Sequence, residues 1–391
     1  MGEIAPRPGE FTINVPEGLE RGLRNYWYPI LPSEDLGRAP VALRRLGEEL
    51  VAWRDSQGQP HVFPDYCPHR TARLSVGTII GDTLQCIFHG IRWDGRGECA
   101  FIPWQPESPA SPDRLQAISY PVEEVRGLLF AYLGDTQQFP APDIRTELPS
   151  ELWDDAYDGY VMTETWRANW LLAVDGNDLY HVPFLHAQSA TTIEAVDAVA
   201  GAFGADGRRM YVAKGTKGFP LITVVDAAGN QVFHGQQADP EFADEGFFLP
   251  TLLCLGVQAE PGMRPHHVYL WMVPIDAEST QVTRWVCRKT TSAEEREQWR
   301  GYFQRVVHPR TAAISSEDRR VAEAIPSLKF AREHEHLVHP DGDVHVRRLL
   351  YRDAFLAQQR GERYHPRRLH DLSDSAAKAD ADRGSPAPLA G

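Results

Sequence analysis

Two short loops constrain this chain more than anything else in it. The first reads Asp65-Tyr66-Cys67-Pro68-His69-Arg70, and the second reads Cys86-Ile87-Phe88-His89-Gly90. Each offers one soft sulfur and one imidazole, and sixteen residues separate His69 from Cys86. Two such loops can grip a two-iron cluster asymmetrically, with Cys67 and Cys86 on one iron and His69 and His89 on the other. The competing reading is a structural Cys2His2 zinc site. Zinc modules pair like with like, Cys with Cys and then His with His, whereas the order here alternates. Pro68, Gly90 and Gly95 punctuate the loops as turns around a cluster require.

Around these loops the sequence reads as a small all-β module. Stretches 41–46, 49–54, 60–63, 83–87, 91–93, 117–122 and 128–132 alternate or carry β-branched and aromatic residues, with turn-forming residues between them. Residues 135–149 are polar and Pro-rich and read as a linker. Beyond it the strand-like runs are longer: 160–165, 210–214, 221–225, 251–258, 267–274 and 281–289. Two helices are signalled. One spans 294–307 behind the capping pattern Ser292-Ala293-Glu294-Glu295, and one spans 318–325 behind Ser315 and Ser316 and stops at Pro326. The class is therefore α+β. The expected division is an N-terminal segment 1–26 packed on the second domain, a cluster domain 27–140, a catalytic domain 150–370 and a disordered tail 371–391.

Net charge is −14, the wrong sign for a nucleic-acid binder. No apolar run approaches the ~18 residues a membrane span needs. Five cysteines, two of them taken by the cluster, leave three in apolar runs, which fits a reduced, cytoplasmic setting.

A second stretch carries chemistry: Asp178-Leu179-Tyr180-His181-Val182-Pro183-Phe184-Leu185-His186. Five residues apart on a regular helix, the histidines would stand ~140° from each other. Pro183 breaks the helix between them, so His186 can fold back towards His181. Alone, such a group is more often a helix-end polar cluster than a metal site. An upstream electron-transfer centre changes that weighting, because iron that activates O2 is commonly held by two histidines and one carboxylate. The best-placed carboxylate is Asp318, with Glu317 as its competitor, although Asp318 also fits the third position of a capping box opened by Ser315.

Taken together, residues 25–330 resemble the terminal oxygenase components of the Rieske non-haem iron oxygenases. The resemblance implies an all-β Rieske [2Fe–2S] domain, at Cys67, His69, Cys86 and His89, ahead of a helix-grip catalytic domain. His181, His186 and Asp318 would hold Fe(II). Asp178 would bridge that iron to the cluster of a neighbouring subunit in a homotrimer. Electrons would come from a ferredoxin and a flavin reductase that draws on NADH or NADPH, and the co-substrate would be O2. The substrate implied is an apolar polycyclic or N-heteroaromatic ring. Candidate pocket residues are Gly176, Val182, Phe184, Leu185, Leu270, Phe330 and the strand at 251–257, all of which also read as plain core. Arg70, Arg73, Arg92 and Arg96 flank the cluster loops and are candidates for steering an acidic ferredoxin. Monooxygenation or dealkylation shares the same iron site, and a pure electron carrier or a zinc-stabilised binding module are the non-oxygenase alternatives.

Overall fold

The computed structural model describes residues 16–105, 115–177, 181–186, 189, 209–211, 223–225, 231–234, 246–257, 266–337 and 342–364. Among these, the strands of the first part are β1 (Tyr26–Pro32), β2 (Val41–Arg45), β3 (Glu48–Arg54), β4 (Pro60–Pro64), β5 (Thr78–Ile80), β6 (Thr83–Gln85), β7 (Arg92–Asp94), β8 (Cys99–Phe101), β9 (Val122–Val125) and β10 (Leu128–Leu133). They form three small antiparallel sheets, ordered β2-β3-β4, β5-β6-β7-β8 and β1-β10-β9. The strand expected at 117–122 is reduced to a single bridge between Val62 and Tyr120, and the ladder begins only at Val122.

The second part contains β11 (Tyr157–Trp166), short strands β12 (Arg209–Tyr211), β13 (Thr223–Val225) and β14 (Gln231–His234), then β15 (Gly246–Phe248), β16 (Leu252–Val257), β17 (His266–Pro274) and β18 (Thr280–Lys289). Its helices are α1 (Ile144–Glu147), α2 (Trp170–Asp175), α3 (Val182–Leu185), α4 (Ala293–Tyr302), α5 (His308–Ala324), α6 (Leu328–His334) and α7 (Gly342–Gln359). The main sheet runs β11-β18-β17-β16-β15, antiparallel throughout. The class is α+β.

The inner strands β17 and β18 are buried on both faces, which explains why β17 reads as a continuous apolar run rather than an alternation. Side chains alternate across a strand. On one face Tyr269, Trp271, Val273, Trp285 and Cys287 pack against β1 and β10, with Trp271 meeting Phe130 at 5.7 Å between ring centroids. On the other, Val268, Leu270, Met272, Val282 and Val286 pack under Trp170, Trp299, Tyr351 and Phe355 of the helices. The first domain is thus seated on the back of the sheet whose front carries the helices. The segment 135–149 is not a loose linker: Ile144 and Leu148 belong to the core, and Pro142 accepts a hydrogen bond from Trp27 Nε1 at 3.0 Å. Leu19 and Leu23 insert into the helix-side core, so the leader residues that are described pack on the second part of the chain. The tail 371–391 lies outside the described residues.

Helix boundaries differ from the sequence expectation in one informative place. Ser292 caps α4 as expected, accepting from Glu295 N at 3.1 Å, while the Glu295 carboxylate reaches back to Thr291 N at 2.6 Å. Ser315, however, caps nothing. A π-helical turn (Phe303–Val307) runs on from α4 into α5, which has a proline in its first turn and extends to Ala324. Ser315 and Asp318 therefore sit well inside a 17-residue helix, and their side chains are free for other work.

Candidate metal centres and cavity

The two cluster loops are the same turn built twice. Cys67 N donates to Ala72 O and Thr71 N to Cys67 O, both at 2.8 Å. Cys86 N donates to Ile91 O at 2.8 Å and Gly90 N to Cys86 O at 2.9 Å. The fourth residue after each cysteine has positive φ, +56° at Thr71 and +71° at Gly90. Glycine serves that conformation freely; Thr71, β-branched, adopts it at a steric cost. Nothing in the sequence singles out Thr71 as the counterpart of Gly90.

This repeat brings the sulfurs together inside and the imidazoles together outside. Cys67 and Cys86 are buried, and burial, together with the neighbouring Cys86 sulfur, pushes the Cys67 thiol up to about 11. Two buried sulfurs facing each other are suited to a cationic partner that stabilises them as thiolates. The rings of His69 and His89 meet edge to face at 4.7 Å, with Phe88 and Trp104 beside His89. The residues fit a cluster with an inner thiolate end and an outer imidazole end. Of the flanking arginines, Arg73 lies near Glu49 and Asp65, and Arg96 lies near Asp94 and Glu98. Arg92 bonds Gln85 and covers Phe101, while Arg70 lies over Phe88.

The second group is more compact. His181 precedes the single turn α3, accepting from Phe184 N and Leu185 N, and His186 follows it. Pro183 falls in the first turn of α3, where a missing N–H costs little, so it shapes the turn rather than breaking a longer helix. His181 Nε2 and His186 Nε2 are 3.0 Å apart, and Asp318 Oδ1 lies 3.5 Å and 3.0 Å from them. Two ligand atoms about 2.1 Å from one ion and at right angles to each other are about 3.0 Å apart, which is the spacing seen. Asp318 Oδ1 is buried without a hydrogen-bond donor. His186 Nδ1 faces Glu317 Oε2 at 2.7 Å, so its N–H donates there and its Nε2 turns a lone pair towards the other two atoms. Two imidazole nitrogens and a carboxylate oxygen converging on one point fit a cation.

Glu317, the competitor for the ligand position, thus stands behind a histidine instead of beside it. It also accepts from Ser189 Oγ at 2.5 Å. Burial works to raise the Glu317 carboxyl, but the bonds from Ser189 and His186 outweigh it and hold the group below the usual range. Burial likewise opposes charge on His186, and Asp318 and Glu317 more than offset it, raising its pKa.

A cavity of about 610 Å³ adjoins these ligands, lined by His181 and Asp318 together with Trp166, Leu172, Ala173, Gly176, Phe184, Leu185, Val321, Ile325 and Phe330. Leu270 does not line it: its side chain faces the helices from β17 and is consumed in the core. Leu253 of the strand at 251–257 does the same. Val182 has no described side chain, and Asp178 lies outside the described residues. Sequence reasoning missed the apolar lining residues Trp166, Leu172, Ala173, Val321 and Ile325, and also the charged Asp175, Glu335 and Arg348. Arg348 donates to Asp175 Oδ2 from Nε at 2.8 Å and from Nη2 at 2.6 Å, and to both oxygens of Glu335.

Both parts of the chain match known families. Residues 26–121 match the Rieske [2Fe-2S] domain family, and residues 132–348 match the homotrimeric ring hydroxylase family. The 3-chlorobenzoate-3,4-dioxygenase oxygenase subunit of Comamonas testosteroni is 30% identical over 200 residues, 49% of this chain and 44% of that one. The terminal oxygenase component CarAa of carbazole 1,9a-dioxygenase from Metapseudomonas resinovorans is 27% identical over 306 residues, 72% of this chain and 77% of that one. The chain spans less than half the length of the first curated relatives it matches. The solved reduced complex between oxygenase and ferredoxin in carbazole 1,9a-dioxygenase superposes with a TM-score of 0.65, at 22% identity, covering 89% of this chain and 95% of that one. With a Rieske domain in front and a ring-hydroxylase domain matched over more than half its length, the chain belongs to the homotrimeric ring hydroxylases, a family of Rieske non-haem iron oxygenases.

Proposed function

We propose that this chain is the terminal oxygenase of a multicomponent aromatic-ring-hydroxylating system, with a flat, uncharged aromatic such as carbazole or a relative as its substrate. The observation that carries the reading is the convergence of His181 Nε2, His186 Nε2 and Asp318 Oδ1 at the wall of a 610 Å³ cavity, on a chain that also carries paired Cys and His loops. When bound, a cluster at Cys67, His69, Cys86 and His89 supplies single electrons, and iron at His181, His186 and Asp318 supplies the capacity to activate O2. The protein's own part is to bind and orient. Glu317 fixes the His186 tautomer. Apolar walls from Trp166, Leu172, Phe184, Leu185 and Phe330 take an apolar ring. Gly176 lines the same cavity, and its carbonyl is assigned to a substrate N–H.

Among the described residues one arginine, Arg348, lines the cavity, and it argues against a carboxylated ring. Such a substrate needs a guanidinium with donors to spare, and Arg348 already spends four hydrogen bonds on Asp175 and Glu335. By family analogy a ferredoxin and its NAD(P)H-dependent reductase deliver the electrons, Arg70 and its neighbours take part in that docking, and Asp178 relays electrons between subunits of a trimer. Monooxygenation or O- or N-demethylation of a related aromatic is the second reading, since the iron ligands are common to both and only the substrate's pose differs. The test is reconstitution with ferredoxin, reductase, NADH and O2, followed by product analysis on carbazole, dibenzofuran, fluorene and phthalate. Hydroxylated tricyclic products support the reading; turnover of phthalate with none of the tricyclics overturns it.

A further inference from the structure

Beneath α5, the main sheet presents a closed polar ring that takes no part in the ligand set. Arg284 on β18 donates from Nη1 to Glu164 Oε1 on β11 at 2.7 Å. Its Nη2 donates to Ser315 Oγ on α5, and the Ser315 hydroxyl donates in turn to the same Glu164 oxygen. Arg319, one turn further along α5, brings its Nη1 to 3.7 Å from Glu164 Oε2. Arg284 is 5% exposed and Ser315 2%. An apolar contact would hold the helix to the sheet at a smaller desolvation cost. What the ring adds is direction, because hydrogen bonds hold one rotation of the helix and apolar contacts tolerate several.

Rotation matters here. Ser315 is three residues before Asp318 and shares its side of the helix. Glu317 is the adjacent residue, ~100° away around the axis. Any rotation of α5 carries Asp318 off the point where the two histidine nitrogens converge. The Asp318 charge acts on Arg284, opposing the burial that lowers its pKa, so the ring lies within electrostatic reach of the ligand.

We propose that Arg284 is a positioning residue for the mononuclear site: by tying Ser315 to Glu164 it sets the rotation of α5 at which Asp318, and not Glu317, faces His181 and His186. This rests on the reading that those three residues hold the metal. The proposal has a sign that simple electrostatics does not share. Arg284→Met removes a buried cation near the site and leaves Glu164 negative, which by charge alone tightens binding of a divalent ion. Loss of positioning weakens it.

The experiment uses full-length protein with its Rieske cluster retained and the mononuclear site stripped of metal. Co(II) is titrated in and followed by its visible d–d absorption, with the melting temperature as a control for folding. Arg284→Met should weaken Co(II) binding about tenfold or more, the range found when outer-shell partners of metal ligands are removed, and should change the d–d band. Ser315→Ala should move both in the same direction by less. The Arg284→Met/Ser315→Ala double variant should bind no more weakly than Arg284→Met alone, because the two residues act as one unit. Unchanged or tighter Co(II) binding in Arg284→Met, or in Ser315→Ala where the former does not fold, overturns the proposal. If that happens while Asp318→Ala abolishes binding, the metal site stands and only the positioning role falls. If Asp318→Ala binds Co(II) as wild type does, the site itself is misassigned and the proposal falls with it.

Discussion

Replacing Glu317 with Ala tests the site at its most divided point. Glu317 and Asp318 are neighbours in sequence, and the geometry gives them different work. Glu317 meets His186 Nδ1 at 2.7 Å, against a histidine side chain only 4% exposed and a glutamate 28% exposed. A hydrogen bond to a charged group contributes about 1.5–3 kcal/mol net, and partial exposure of the acid places this one towards the lower figure. At about 1.4 kcal/mol per decade, Glu317→Ala should weaken metal binding about tenfold. Glu317→Gln, which keeps an acceptor but loses the charge, should recover about half of that in free energy. Asp318→Ala removes a ligand atom and should abolish stoichiometric uptake at micromolar metal, while the cluster's visible spectrum stays intact. The assay is anaerobic Fe(II) titration of stripped protein, with iron counted against acid-labile sulfide. The reverse pattern, no mononuclear iron in Glu317→Ala and full iron in Asp318→Ala, would falsify the assignment and move the ligand to Glu317.

Cys86→Ser should lose the visible charge-transfer absorption and the labile sulfide yet still bind one metal at the mononuclear site, which a sulfide assay beside a metal count will check. Asp178→Asn should leave both metals in place and collapse product formation; a wild-type rate of single-turnover electron delivery from the pre-reduced cluster would take Asp178 off the electron path. Acid should destabilise the fold through His266 and His267. Burial, then Arg288 and Arg310, holds His266 down to about 3, and burial, then His266, holds His267 down to about 3. Their unfolded value is about 6.5, so between those limits the unfolded chain binds more protons: the stabilisation is whole above pH 6.5 and is lost as pH falls towards 3, by about 2 kcal/mol per histidine at pH 5. Denaturant midpoints at pH 7.5, 6 and 5 should converge less steeply in a His266→Gln/His267→Gln variant, and an identical slope would show that the two rings are not the sensors.

The features legible from the sequence are those whose signal is local. The cluster loops announce themselves through ligand spacing, α4 through Ser292, and the end of α5 through Pro326. Thr71 is invisible because a β-branched residue gives no hint of positive φ, although its turn is identical to the one at Gly90. Ser315 reads as a cap only because sequence does not show that α5 starts upstream at His308, continuous with the preceding helix. Arg348 reaches Asp175 across 173 residues, and no pattern within a window reveals such a pair. Leu270 is apolar in an apolar strand, and only the alternation of β17 between two cores decides that it faces the helices and leaves the cavity to others.

The adjacency of Glu317 and Asp318 explains why the site needs a helix rather than a loop. In extended backbone, successive side chains point to opposite faces, and the two carboxylates could not serve the same histidine. On a helix they stand ~100° apart, close enough that one can meet the front of His186 and the other its back. That is the arrangement found: Asp318 Oδ1 lies 3.0 Å from Nε2 and Glu317 Oε2 2.7 Å from Nδ1 of a single buried ring. The imidazole is held between two consecutive residues of one rigid element, so its orientation and its tautomer are set together. The same economy makes the site sensitive to rotation of α5, since the geometry that distinguishes ligand from support is a single residue step. A helix carrying both acids is useful only if something off the helix axis holds its rotation, and the Glu164–Arg284–Ser315 ring, anchored on two adjacent strands of the main sheet, is placed to do so.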